Sequence, residues 1–289
     1  PSALTEAENE LMTVLANSFQ HSEKLGEHMR FLYSNGSMYK TINGNLLFHG
    51  CIPLDDNGEP LSLTIEGNEY SGKAMLDKLD EVANKAYFLH PSEEKENSAD
   101  LLWYLWCGPV SPLYGKDKMA FFERYFIADK TTHTENYNAY YHYSEQAEVC
   151  RGILEMFGLD PDKGHIINGH VPVKIKNGES PVKAGGKLFV IDGGISKAYQ
   201  KATGIAGYTL IYDSHSLNLA QHKPFIAGES EHTPTISMVE RLDRRANISD
   251  TDKGAELLGQ INDLRELLKA YRSGVIKQKQ GNKQRNFIR

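Results

Sequence analysis

Between His165 and Ser214 the chain passes through three short β-branched stretches, HIINGHVPVKI, KLFVIDGG and YTLIYDS, each bounded by glycine or turn residues. Runs of this length and composition form consecutive buried sheet strands. A fourth run of the same kind stands far upstream, in NGNLLFHGCIPLDDNGEP (43–60). There an apolar run, Leu46-Leu47-Phe48, ends abruptly in His49-Gly50. Helical patterns lie between and around these strands, so the fold class is α/β (α+β).

Local signals place the other elements. Asn43-Gly44 reads as a hairpin turn between two strand-like runs. LSLTIEGNEYSG reads as a second hairpin. Residues 4–33 follow a helical pattern, with Leu11, Met12, Leu15, Phe19, Leu25, Met29 and Leu32 on roughly one face. Residues 72–90 are helical, PSEEKENS is an acidic loop, and Ser98 N-caps a short aromatic helix to Cys107. Residues 144–158 form a helix that ends at Gly158, and HKPFIAG leads toward another strand. PTISMVERL fits either strand or helix. The best helix is 250–272, with Leu257, Leu258, Ile261, Leu264, Leu267, Leu268 and Tyr271 along one face and Gly274 as its stop.

Composition narrows the function classes. A net charge of −6 leaves no basic footprint for nucleic acid. No apolar run reaches membrane-spanning length, so no membrane partner is expected. PSALTEAENE has neither the basic nor the apolar region of a signal peptide. Cys51, Cys107 and Cys150 are widely spaced and odd in number, which points to a reducing, cytoplasmic compartment without a disulfide framework. The chain opens on Pro1 rather than on methionine, and its last residues, KQKQGNKQRNFIR, form a solvated basic tail.

A side chain at the C-terminal end of a strand is held rigidly yet faces the loops, where sites are built. Gly50 beside His49 lets other backbone approach closely. A neutral imidazole there suits a divalent metal, although a lone strand-end histidine more often has a structural role. His170 repeats the design: apolar strand, Asn168-Gly169, histidine. Asp192-Gly193-Gly194 ends a third strand. The three ends could converge on one edge of a β-sandwich. Asp192 either lines or orients such a site or serves as a turn aspartate.

GNLLFHGCIPLDDNG resembles the strand–histidine–glycine motif of the calcineurin-like metallophosphoesterases, and NGHVPV resembles their later glycine–histidine motif. GPVSPLYGKDKMAFFERYFIADK, the long block from Asn168 to Ser214, and HKPF are similar to class III fructose-1,6-bisphosphatases of Firmicutes. The resemblance implies the later half of a four-layer α/β/β/α metallophosphoesterase β-sandwich, with a helical lid inserted at about 72–160 and a C-terminal helix. Four segments follow: 1–71 with the first strand–histidine unit, 72–160 as the lid, 161–249 with the later strands, and 250–289 with the helix and tail. The family's upstream DxH, GDxxDR and GNH motifs are absent, and Pro172 stands where some relatives carry a further histidine. The resemblance therefore implies that an upstream half of the enzyme lies outside this chain and carries the remaining ligands of a two-metal site.

By the same resemblance His49 and His170 are metal ligands, the ions are Mn2+ or Mg2+, and the substrate is a sugar bisphosphate that loses its 1-phosphate in gluconeogenesis. A homo-oligomer is implied as well. Asp192 is the candidate catalytic residue in this chain. Arg124, Lys116, Lys118 and Lys187 are the candidate phosphate-binding residues; Arg124 is expected to be partly buried among aromatic residues, and Lys183 and Lys197 also flank the later strands. Cys51 is expected to be buried, and Trp103, Tyr104 and Trp106 to pack in a core or lid. Two other readings stay open: a phosphoesterase for phosphoproteins or nucleotides, and a non-catalytic binding or regulatory module. Of the remaining histidines, His215 in YDSHS is the hardest to set aside.

Overall fold

Asn43 and Gly44 both take positive φ (50° and 77°), the backbone of the tight turns that match strand twist. This turn folds β1 (Tyr39–Ile42) onto β2 (Asn45–Phe48). Glu66-Gly67, at φ 50° and 80°, does the same for β3 (Ser62–Ile65) and β4 (Asn68–Ser71), which form a separate two-stranded sheet. The computed structural model describes residues 3–205, 207–224, 228 and 233–277.

The amino-terminal pattern resolves into two helices, α1 (Glu6–Gln20) and α2 (Glu23–Asn35). Ser22 interrupts it because its hydroxyl accepts from the Leu25 amide and starts a new helix. Neither helix contains a buried residue. α3 (Gly72–Phe88) buries Met75, Leu76, Leu79 and Val82, and α4 (Glu93–Cys107) packs against it. α4 begins earlier than its sequence suggests. Ser92 is the N-cap, accepting from Lys95 N, and Glu93, Glu94 and Glu96 occupy the electropositive first turn. The acidic stretch is thus helix, not loop, and Ser98 is a buried residue whose hydroxyl bonds back to the Glu94 carbonyl. Trp103 and Trp106 contact each other edge to face but are 64% and 54% exposed, so they form no core.

α5 (Phe121–Phe126), α6 (Tyr140–Tyr143) and α7 (Ala147–Met156) complete the helical stretch before β5 (Ile166–Asn168). Parts of it belong to the core: Tyr140, Cys150 and Leu154 are fully buried, and the Tyr140 ring lies edge-on to Phe48 at 5.9 Å. β6 (Val182–Lys183) and β7 (Leu188–Val190) follow. The main sheet has the order β1-β2-β5-β7-β6. Its three central strands, β2, β5 and β7, are parallel, and its edge strands are antiparallel. Central strands covered on both faces are apolar throughout; Leu188, Phe189 and Val190 are all buried. The described fold is mixed α/β.

α8 (Lys197–Thr203) precedes β8 (Gly207–Tyr212), β9 (Ser216–His222) and β10 (Thr235–Arg241), which pair in the order β10-β9-β8. β9 falls on SLNLAQH and ends at His222, the first residue of the expected HKPFIAG, whose Phe225–Ala227 lie outside the described residues. PTISMVERL is strand. The chain divides into two compact units, one with the residues up to Leu210 and Leu219–Ser237, the other with Ile211–Asn218 and the residues from Met238 onward. The second unit contains α9 (Asp252–Arg272), capped by Thr251 and followed by Gly274 at φ 76°. Its seven expected apolar residues do line up, yet all are exposed. The basic tail from residue 278 lies outside the described residues. Among the described residues no helix is long and apolar enough to cross a membrane.

Candidate functional site

Parallel pairing of β2, β5 and β7 puts their C-terminal ends side by side, with Leu46 opposite Ile166 and Ile166 opposite Leu188. Sites of open parallel sheets form at such ends. Hydrogen bonds extend the alignment past the strands: Gly169 N donates to the His49 carbonyl at 2.9 Å, and Ile191 N to the Asn168 carbonyl at 2.9 Å. The three strand ends singled out by sequence thus converge.

His49 and His170, 121 positions apart in sequence, meet with Nε2 of the first 3.0 Å from Nδ1 of the second. His170 Nε2 lies 2.8 Å from the Tyr114 carbonyl. A carbonyl only accepts, so His170 Nε2 carries a proton; in the neutral ring Nδ1 is then a lone pair, and His49 Nε2 donates to it. Burial, followed by the neighbouring His49, lowers the His170 pKa and favours that neutral ring. The backbone at His170 has φ 66°, and Val171 N donates across it to the Gly169 carbonyl at 2.8 Å. A non-glycine residue in this three-residue turn stores strain, and such strain concentrates at functional positions.

Gly50 is required by close approach. A Cβ there would overlap the Pro112 carbonyl oxygen and come within 3.1 Å of that of Leu113. Cys51 N donates to the same Pro112 oxygen at 2.9 Å. The 112–114 backbone is thereby held against the β2 end, where Tyr114 can reach His170. Cys51 is buried, and burial pushes its thiol up to about 12. Asp192 lies beside Gly169, where an added Cβ would be 4.0 Å from Asp192 Oδ2. Its Oδ1 accepts from Gly194 N at 2.7 Å, a turn aspartate's bond, while its charge also acts on His170.

The candidate cations are dispersed. Lys116 pairs with Glu135 at 2.7 Å, and its charge acts on His170. Lys118 donates to the Thr132 carbonyl. Arg124, expected to be partly buried, has a side chain 56% exposed, 3.5 Å from Glu135. Glu135 had no sequence signal, yet it collects Lys116, Arg124 and the Ala120 amide. Burial alone would raise its pKa; the Lys116 and Ala120 hydrogen bonds outweigh that and hold it below its ordinary value. Lys187 precedes β7 and bonds to the Asp162 and Gly164 carbonyls, at the opposite end of the parallel strands from the histidines. It is not part of their cluster. Lys183 pairs with Glu145 at 2.8 Å, and the Lys197 side chain lies outside the described residues. His215 belongs to a local turn in which Asp213 accepts its amide.

Two residues missed as site components matter here. The Tyr114 carbonyl has no side-chain signature. Asn168, a polar residue ending the apolar run IIN, could have been noticed: it is 4% exposed and donates to Tyr140 Oη and the Gly50 carbonyl. Among the described residues no group of three or more His, Cys, Asp and Glu is arranged to hold a metal ion.

The sequence was compared with known proteins. A curated protein of Clostridium botulinum strain Alaska E43, named fructose-1,6-bisphosphatase class 3, is 54% identical over 285 residues, covering 96% of this chain and 43% of the relative. Proteins of the same name in Clostridium tetani and, as class 3 1, in Clostridium beijerinckii are 52% and 50% identical with the same coverage. The chain spans less than half the length of these curated relatives. No solved structure matches. The family model described as Firmicute fructose-1,6-bisphosphatase matches residues 1–273, and with these relatives it shows that the chain belongs to that family.

Proposed function

We propose that this chain is the later portion of a class III fructose-1,6-bisphosphatase, whose full polypeptide hydrolyses the 1-phosphate of fructose 1,6-bisphosphate in the gluconeogenic direction. The observation that carries the reading is the His49–His170 pair at 3.0 Å, at the ends of adjacent parallel strands. Two imidazole nitrogens gathered at one sheet edge would hold a divalent ion, for which imidazole is a suitable ligand. The donor chemistry fits as well. The Tyr114 carbonyl fixes the His170 tautomer and leaves Nδ1 as the ligand atom. With its proton on Nδ1, His49 Nε2 would be a second donor.

A divalent pair, Mn2+ or Mg2+, would supply charge neutralisation and activation of water for in-line displacement at phosphorus. This chain brings two ligands; the remaining ones come from the family's other half. Asp192 lies beside Gly169 and contributes negative charge near His170. Lys116 is the cation best placed to meet a phosphate, with Arg124 beside it on the Glu135 cluster and Lys118 on the Thr132 carbonyl. The 72–160 segment acts as a cover that keeps bulk water from the sugar bisphosphate. A cytoplasmic, self-associating enzyme completes the reading.

The test is turnover in the full-length enzyme. His49→Ala and His170→Ala are each expected to lower metal-dependent hydrolysis by orders of magnitude, and near-normal rates in either variant would defeat the ligand assignment. The 289-residue chain alone is expected to turn over little; robust activity from a preparation free of other polypeptide would overturn the divided site.

A further inference from the structure

α5 carries five large apolar side chains on the surface. Phe121, Phe122, Tyr125, Phe126 and Ile127 are between 45% and 80% exposed. Phe121 and Tyr125, and Phe122 and Phe126, are pairs four residues apart, so the four rings share one side of the helix. They pack on one another: the Phe121 ring is 5.4 Å from Phe122 and 5.2 Å from Tyr125, and Phe122 stacks on Phe126 at 6.4 Å. Single apolar side chains are ordinary on a protein surface, but a contiguous group marks an interaction site. Aromatic residues also dominate the energetics of protein–protein contacts.

The helix is firmly anchored. Arg124 pairs with Glu135 and donates to the His133 carbonyl at 3.4 Å. The amide of the fully buried Ala120 donates to Glu135 at 3.0 Å. The His133 ring meets the Ile127 carbonyl at 2.9 Å. Ahead of α5, Asp117 N donates to the Asn136 carbonyl and Asn138 N to the Gly115 carbonyl, both at 3.0 Å. A patch fixed in this way binds at low entropic cost.

Its place in the chain indicates what covers it. α5 begins seven residues after Tyr114, whose carbonyl touches His170. Tyr114 Oη folds back to donate to the Lys118 carbonyl at 3.0 Å. The histidine contact and the aromatic helix therefore sit on one continuous, hydrogen-bonded segment. Among the described residues the His49–His170 pair gains no third His, Cys, Asp or Glu ligand. A polypeptide that completes the site must come to this edge. More than half the length of each curated relative lies outside the region this chain matches, so the family has such a polypeptide. Being part of the same molecule, it would meet the patch at high effective concentration.

We propose that the aromatic side of α5 is the docking surface for the rest of the family polypeptide, which seats an apolar face on the four rings as it reaches the histidine edge. The occupant rests on the reading above that this chain is the later portion of a longer enzyme.

The test is a photo-crosslink in the full-length polypeptide, with p-benzoylphenylalanine in place of Phe126, the most exposed of the four rings. Irradiation is expected to join it, within one molecule, to a peptide outside the 289 residues. A crosslink to a second copy, identified by mixing isotopically light and heavy protein, would overturn the proposal. So would crosslinks confined to the 289 residues, or none. A Phe122→Ser, Phe126→Ser double variant gives a second measurement. Its unfolding midpoint should stay within about 1 °C of the parent in the 289-residue chain, where the rings are exposed, and fall by about 4 °C or more in the full-length protein. Equal shifts in both would overturn the docking surface. Hydrolysis of fructose 1,6-bisphosphate by the full-length parent tests the phosphatase reading separately: its absence leaves the crosslink result standing, and a crosslink to a second copy leaves hydrolysis untouched.

Discussion

Replacing Gly50 with alanine should unlock the backbone that holds His170. The new methyl would collide with the Pro112 carbonyl and lie 3.1 Å and 3.3 Å from the Leu113 carbonyl oxygen and carbon. These are backbone atoms, so relief requires the 112–114 loop to retreat. Overpacking of this kind costs about 1–3 kcal/mol. Retreat also stretches the hydrogen bond from the buried Cys51 amide to Pro112, and an unsatisfied buried amide costs about 1–3 kcal/mol. Alanine restricts the unfolded chain and returns about 0.4–1 kcal/mol. The net expectation is about 1–6 kcal/mol of lost stability, read as a lower urea midpoint at unchanged slope. Gly26→Ala in α2, where an added Cβ meets nothing within 4 Å, is the control and should be neutral or slightly stabilising. A Gly50→Ala midpoint no lower than that of Gly26→Ala would refute the close-approach argument.

Three further outcomes are expected. Tyr140→Phe removes one acceptor of the buried Asn168 amide and should cost about 1–2 kcal/mol in chemical denaturation, with the far-ultraviolet spectrum retained. Ser92→Ala should destabilise by about 1 kcal/mol through loss of the α4 cap, whereas Ser98→Ala, at a mid-helix position, should cost less; equal thermal shifts would contradict the assigned helix start. Burial and His49 lower the folded His170 pKa, so below the ordinary histidine value of about 6.5 the unfolded chain binds more protons than the folded one. The contribution of neutral His170 is thus present above that pH and lost as pH falls through it, and unfolding free energy measured from pH 8 to 5 should fall less steeply in His170→Gln.

Turn chemistry made much of the fold legible. Asn43-Gly44 announced its hairpin because few other pairs accept two positive φ angles, and the strand–glycine–histidine runs announced where side chains would gather. α9 was readable from its heptad-like leucines. Charge misled at PSEEKENS, where acidity suits a helix N-terminus as well as a loop, so the cap moved from Ser98 to Ser92. β9 was hidden because Asn218 and Gln221 interrupt its apolar pattern. The phosphate candidates were the least legible part. Nothing in YGKDKMAFFERYF states that Glu135 gathers Lys116 and Arg124, or that Lys187 bonds to carbonyls at the other end of the sheet. Backbone groups such as the Tyr114 carbonyl leave no trace in residue identity.

The pairing of β2 with β5 also sets the order in which the molecule can be built. Leu46 and Ile166 are neighbours in the sheet but 120 positions apart along the chain, and closing a loop of that length costs about 4 kcal/mol of entropy before any contact is gained. Hairpins such as β1–β2 and β3–β4 form on microsecond timescales from local contacts, whereas distant parallel pairing is slow. On a ribosome, His49 emerges well before His170 can exist, and the two imidazoles meet only when β5 pairs with β2. The histidine pair is therefore a late event in the life of the chain, and its appearance, followed by imidazole resonances during refolding, would time the completion of the sheet.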